Sequence, residues 1–255
     1  MATKRSAYLG SWRYAPAADL AQPLRERLRQ VPREPDLLIY ALRSAAALIV
    51  RGWLACYHRL SIPGIKNLPI EQSFILVANH SSHLDTLCLL SALPLRKLHA
   101  AFPAAAQDYF FVSAPRLALA AIVVNALPFS RHGHVRQSLE LCHELLAERG
   151  NILILFPEGT RNSTGEVGPF KPGVGTLLAG TSIPVVPCYL SGAFAAWPKG
   201  AWIPRPRRVR LTIGAPRTYQ HLESNRDSAD VIARELREAV LGLGSPSSEK
   251  NYENG

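Results

Sequence analysis

The chain has 255 residues, and its 29 Lys and Arg against 19 Asp and Glu give a formal charge of +10. Hydrophobic residues make up 47% and charged residues 19%. That excludes a disordered, collagen-like or acidic solvating chain and suits one globular domain with appendages, or two small domains at most. The positive balance calls for an anionic partner: nucleic acid, an acidic membrane surface or a phosphorylated substrate.

Residues 1–36 hold seven basic and four acidic residues and four prolines. They read as a polar extension with at most one short helix, at 20–30, and residues 1–19 lack the apolar run of a secretory signal. From Asp36 the character changes. A Leu-, Ile- and Ala-rich helix is expected from Leu37 to about Tyr57, ending before Pro63-Gly64. Two readings of it stand: a packed core helix, or a helix in the lipid interface with Tyr40, Trp53 and Tyr57 at headgroup depth and Arg43, Arg51 and Arg59 on phosphates. Those arginines interrupt the roughly 20 apolar residues that a membrane-spanning helix requires.

Strands and helices then alternate. Residues 73–78 (SFILVA) form a nearly all-apolar run, the mark of a strand buried on both faces. Ser81 and Ser82 are N-cap candidates for a helix at 84–93. Strands are expected at 98–102 and 122–129, with a short helix at 114–121 between them. An amphipathic helix follows at 135–149, a buried strand at 152–156, a helix start at 173–179 and a strand at 185–190. An alternating edge strand at 208–213 and a helix at 228–241 complete the pattern. Such alternation argues for an α/β protein, a mostly parallel sheet flanked by helices, with its crevice at the carboxyl ends of the strands. Cys56, Cys88, Cys142 and Cys188 form no C-x-x-C pair and read as small core residues in a reducing compartment.

Chemistry is concentrated where strands end. In Asn79-His80-Ser81-Ser82-His83-Leu84-Asp85, five residues separate His80 from Asp85. On a continuous helix the two would diverge. With His80 on a strand-end turn and Asp85 in the first helical turn, the carboxylate can fold back onto the imidazole and leave the other ring nitrogen as a base. A metal reading would recruit His80, His83 and Asp85, but no H-E-x-x-H or Cys/His cluster supports it. His83 reads as a polar residue on the pocket rim, and His143 with Glu148 as surface charge.

In Phe156-Pro157-Glu158-Gly159-Thr160-Arg161, Gly159 permits a tight turn with exposed N–H groups and Arg161 offers a planar fork for a phosphate. Glu158 could hold Arg161 or bind a substrate hydroxyl; the bland reading is a surface salt bridge. Arg131, in Pro128-Phe129-Ser130-Arg131, would be a second phosphate hand. The Gly173-Val174-Gly175 stretch fails both the Walker and the dinucleotide patterns. Residues 199–217 hold six basic and no acidic residues, yet lack the aromatic spacing of RNA modules; anionic lipid or an acidic carrier suits them at least as well.

Four blocks, NHSSHLD, LPFSR, FPEGTR and IPVVPCYL, together resemble the glycerolipid acyltransferase family, the lysophosphatidic acid acyltransferases and their relatives, over about residues 37–215. The resemblance implies transfer of a fatty acyl group from acyl-CoA or acyl carrier protein to the hydroxyl of a lysophospholipid, most simply 1-acyl-glycerol-3-phosphate giving phosphatidic acid. Other lysolipid acceptors, or a non-catalytic basic lipid-binding protein, are the alternatives. His80 is carried over as general base and Asp85 as its orienting partner; Arg131, Glu158, Gly159, Thr160 and Arg161 are carried over as the acceptor's headgroup site. No metal, cofactor, covalent acyl-enzyme or nucleic-acid partner is implied. Asn125, Ser130 and Asn162 depart from the common Gly, Asp and Ser, which bears on acceptor identity. The expected organisation is a polar extension at 1–36, an apolar membrane-associated helix at 37–62, a catalytic domain at 63–243 and a flexible tail at 244–255, on the cytoplasmic face of a membrane.

Overall fold

The computed structural model describes residues 37–106, 127–129 and 135–245. The chain divides into residues 1–36 and 37–255, and all described residues belong to the second unit. The helices expected at 20–30 and 114–121, the first half of the 122–129 strand, Asn125, Ser130 and Arg131 lie outside the described residues.

In chain order the elements are α1 (Leu37–Tyr57), β1 (Phe74–Ala78), α2 (Leu84–Ala92), β2 (Ala101–Ala106), β3 (Leu127–Phe129), α3 (Val135–Ala147), β4 (Ile152–Leu155), α4 (Gly173–Leu178), β5 (Val185–Ser191), α5 (Ala193–Ala196), β6 (Arg210–Ile213) and α6 (Arg226–Leu243). The six strands form one sheet in the order β3-β2-β4-β1-β5-β6. Every pairing is parallel except the last, β5 with β6.

The centre of the sheet explains why β1 reads as unbroken hydrophobe. Phe74, Leu76 and Ala78 pack on one side with Leu54 of α1 and Leu84, Cys88 and Leu89 of α2. Ile75 and Val77 pack on the other with Cys142 and Leu145 of α3, Leu177 of α4 and Ile232 and Leu236 of α6. Alternate side chains of a strand point to opposite faces, and with helices on both faces neither set meets water. Each such Leu, Ile or Phe contributes about 1.5–3 kcal/mol.

Several expectations are corrected. The strand placed at 98–102 begins at Ala101, because Pro94 opens a 3₁₀ turn over Leu95–Ala100. The N-cap of α2 is His83, whose side chain makes no capping bond, rather than Ser81 or Ser82. The edge strand β6 does not alternate; three of its four residues are buried. Its outer side is covered by the segment after α1, with Leu211 N–H donating to Ser61 O (2.9 Å) and Ile213 N–H to Pro63 O (2.9 Å), so this edge offers no open ladder. Cys88, Cys142 and Cys188 are buried, but Cys56 is exposed on α1.

Helix α1 packs on the core along one face. Ala47, Val50, Trp53 and Leu54 pack on the core, and Arg51 turns inward, donating to Leu93 O, rather than outward to lipid phosphates. Its opposite face, Ala41, Leu42, Ala45, Leu48, Ile49, Gly52, Ala55 and Cys56, is exposed and carries no charge. Among the described residues, no helix is long and apolar enough to cross a membrane.

Candidate active site

The register of the sheet brings the two motif blocks together. Val77 of β1 lies opposite Leu155 of β4 in a parallel pair, so His80 and Glu158, each three residues further on, leave the sheet side by side at its carboxyl edge. On the other flank, Asn79 clamps the end of β1 to β5. Its Nδ2 donates to Leu190 O (3.0 Å), and its Oδ1 accepts from Leu190 N–H (2.8 Å).

His80 Nδ1 lies 2.9 Å from Asp85 Oδ2. Asp85 is fully buried, and the same oxygen accepts Ser81 N–H (2.7 Å) and Ser82 N–H (2.8 Å). The carboxylate can thus reach back to His80 because it closes the turn that precedes α2. An ionised carboxylate only accepts, so Nδ1 carries the proton and Nε2 keeps a lone pair. The imidazole, 18% exposed, stacks on Phe156 with ring centroids 4.1 Å apart and planes 18° from parallel.

Glu158 braces the backbone of its neighbours. Its Oε1 accepts His80 N–H (2.7 Å) and its Oε2 accepts Gly168 N–H (2.9 Å). Asn162 N–H donates to His80 O (2.8 Å), so both backbone polar groups of His80 are held by the segment after β4. Gly159 adopts φ 76°, the left-handed region glycine tolerates, but its N–H is engaged with Phe156 O (2.9 Å) rather than presented outward. A Cβ there would lie 2.7 Å from Lys171 Nζ. Thr160 is exposed.

Arg161 Nη1 meets the His83 ring, 2.7 Å from Nδ1 and 2.5 Å from Nε2. Burial, then the charges of Arg161 and His80, against the opposing pull of Asp85, lower His83 to about 4, so the ring is neutral at pH 7 and accepts. His83 also lies against Trp197, ring centroids 5.2 Å apart, and Ser82 Oγ donates to Trp197 O (2.7 Å). Sequence reasoning gave no role to Phe156 or Asn79, although both stand inside the quoted blocks, and Trp197 carries no local signal at all. Among the described residues, no group of three His, Cys, Asp or Glu side chains is disposed to hold a metal.

Fold and site together define an α/β protein with a braced histidine–aspartate pair at the carboxyl ends of its strands. The chain belongs to the Acyltransferase family, whose model matches residues 59–191. It is 31% identical over 193 residues to the chloroplastic 1-acyl-sn-glycerol-3-phosphate acyltransferase BAT2 of Brassica napus, covering 72% of this chain and 50% of that protein. It is also 31% identical over 134 residues to 1-acyl-sn-glycerol-3-phosphate acyltransferase alpha of Homo sapiens, covering 52% and 46%. The chain spans about half the length of the curated relatives it matches. Its fold resembles the crystal structure of the 1-acyl-sn-glycerophosphate acyltransferase PlsC from Thermotoga maritima, with TM-score 0.61 and 22% identity over 90% of this chain and 87% of that one.

Proposed function

We propose that this protein is an O-acyltransferase that moves a fatty acyl group from acyl-CoA or acyl carrier protein to the free hydroxyl of a lysophospholipid. The acceptor is 1-acyl-sn-glycerol-3-phosphate, and the product phosphatidic acid. The observation that carries this reading is the 2.9 Å contact between His80 Nδ1 and Asp85 Oδ2, which leaves Nε2 as the base. The names of the curated relatives support the choice of acceptor.

In the proposed step Nε2 takes the acceptor's hydroxyl proton while that oxygen bonds to the thioester carbonyl carbon. The tetrahedral oxyanion then collapses, the C–S bond breaks, and the departing thiolate recovers the proton from Nε2. Asp85 stabilises the imidazolium formed between these events. The balance needs no cofactor and no covalent acyl-enzyme. Arg161, propped by His83, and Arg131 supply positive charge to the acceptor's phosphate. The uncharged outer face of α1 lies in the lipid interface where lysolipids reside, and four free cysteines suit the reducing, cytoplasmic side.

His80→Ala is expected to lower acyl transfer by roughly 10²–10⁴-fold with an unchanged thermal melt, read as CoA release in the presence of lysophosphatidate. Near-normal turnover in that variant would overturn the role of His80. In a panel of acceptors, preference for a headgroup without phosphate would remove the roles given to Arg131 and Arg161.

A further inference from the structure

Residues 37–70 and 167–222 contain no Asp or Glu. Where these two segments meet, Arg59, Ser61, Ser191, Arg208, Val209 and Arg210 line a cavity of about 310 Å³. Its walls are held by backbone bonds: Val209 N–H donates to His58 O (3.0 Å), and Ser61 N–H to Val209 O (3.1 Å). Guanidinium forks and hydroxyls without a neighbouring carboxylate in sequence are the donor set that receives a phosphate ester.

Beside the cavity the chain forms a loop with a rigid base. Arg205 N–H donates to Ala196 O (2.7 Å) and Ala201 N–H to Pro198 O (3.1 Å), while Trp197 Nε1–H donates to Ala201 O (2.9 Å). At its tip Trp202 is 95% and Ile203 73% exposed, between the exposed Lys199, Arg205, Arg207 and Arg208. The hydroxyl of Tyr57, at the end of α1, donates to Pro204 O (3.0 Å), and Trp53 stacks on Tyr57. Aromatic side chains of this amphipathic kind, set among basic residues, match the headgroup depth of a bilayer. The base of the loop is itself rooted on the candidate site, through Ser82 Oγ to Trp197 O (2.7 Å) and a bridge between Ser82 and Pro198.

We infer that this cavity and loop form a docking site for an anionic phospholipid of the bilayer, separate from the acceptor that reacts at His80. Trp202 and Ile203 enter the interface; Arg59 and Arg208, with Ser61 and Ser191, take a headgroup phosphate. Because the loop is rooted on the turn that carries His83, docking holds the His80 cleft against the surface that supplies its substrate. The inference rests on the reading of the protein as a lipid acyltransferase. A protruding Trp-Ile tip favours lipid over an acidic carrier protein, which would need the charges but not the apolar tip.

The test uses the full chain and co-sedimentation with vesicles of phosphatidylcholine, alone or mixed with phosphatidylglycerol. Trp202→Ser with Ile203→Ser is expected to weaken binding to the mixed vesicles by about ten-fold or more. Arg59→Gln with Arg208→Gln is expected to weaken binding to the mixed vesicles by about ten-fold or more and to phosphatidylcholine alone little. Both double variants keep turnover of a short-chain lysophosphatidate and a soluble acyl-CoA below their micelle concentrations; loss of that turnover in the parent protein would strike the functional reading and not the docking site. Wild-type vesicle binding by both variants overturns the inference. So does an Arg59/Arg208 variant that keeps vesicle binding but loses turnover with a carrier-protein donor, which assigns the surface to an acidic protein.

Discussion

Both carboxylate oxygens of Glu158 accept backbone N–H bonds, one from His80 and one from Gly168. An amide at this position would turn an –NH₂ group toward one of those donors. Glu158→Gln is therefore expected to cost about 1–3 kcal/mol of stability and to lower kcat by roughly ten-fold or more, with little change in the acceptor KM. A raised KM at unchanged kcat would instead make Glu158 a substrate ligand. His83 answers to pH. Its ring is lowered from the ordinary 6.5 to about 4, so between those values the unfolded chain binds more protons than the folded one. Stability then falls as pH drops from about 6.5 to about 4 and is indifferent to His83 above that window. Thermal melts over this range are expected to be flatter in His83→Gln than in the parent; parallel curves would show that the ring is not held neutral. At this scale the residue types were legible, since the imidazole–carboxylate contact follows from a five-residue spacing across a strand-end turn. The hydrogen bonds within FPEGTR were not: Glu158 and Arg161 stand three positions apart, yet one accepts from the His80 backbone and the other meets His83.

Elements were read well where burial alone determines them. The all-apolar β1 and β4 follow directly from coverage on two faces, and α1 ends at Tyr57, before Pro63-Gly64, as expected. What escaped was set by contacts distant in sequence. Leu211 and Ile213 are sealed by Ser61 and Pro63, about 150 positions earlier, so β6 lost its alternation. The Gly-Val-Gly of α4, fruitless as a nucleotide signal, has a packing reason: a Cβ on Gly175 would stand 2.0 Å from Ala229 O in α6. Gly175→Ala must part the two helices and is expected to cost about 1–3 kcal/mol in urea unfolding. A neutral result would mean that α4 and α6 can slide apart without loss.

Across the whole molecule, charge is segregated rather than spread. Acidic residues are absent from the long stretch between Glu166 and Glu223, which builds β5, β6 and the Trp202 loop, while α6 carries them alongside its arginines. That bias was visible in composition; its placement beside the end of α1 was not, because only the fold joins Tyr57 to Pro204. The cysteines follow a similar geography. Burial pushes the thiol of Cys142 up to about 12, and raises Cys88, helped by the charge of Asp85, and Cys188 further still, so these three stay unreactive toward electrophiles that require thiolate. Cys56 alone is open, on the uncharged outer face of α1. Evolution has thereby left a ready-made attachment point for a single polarity-sensitive dye, positioned to brighten whenever that helix meets hydrocarbon.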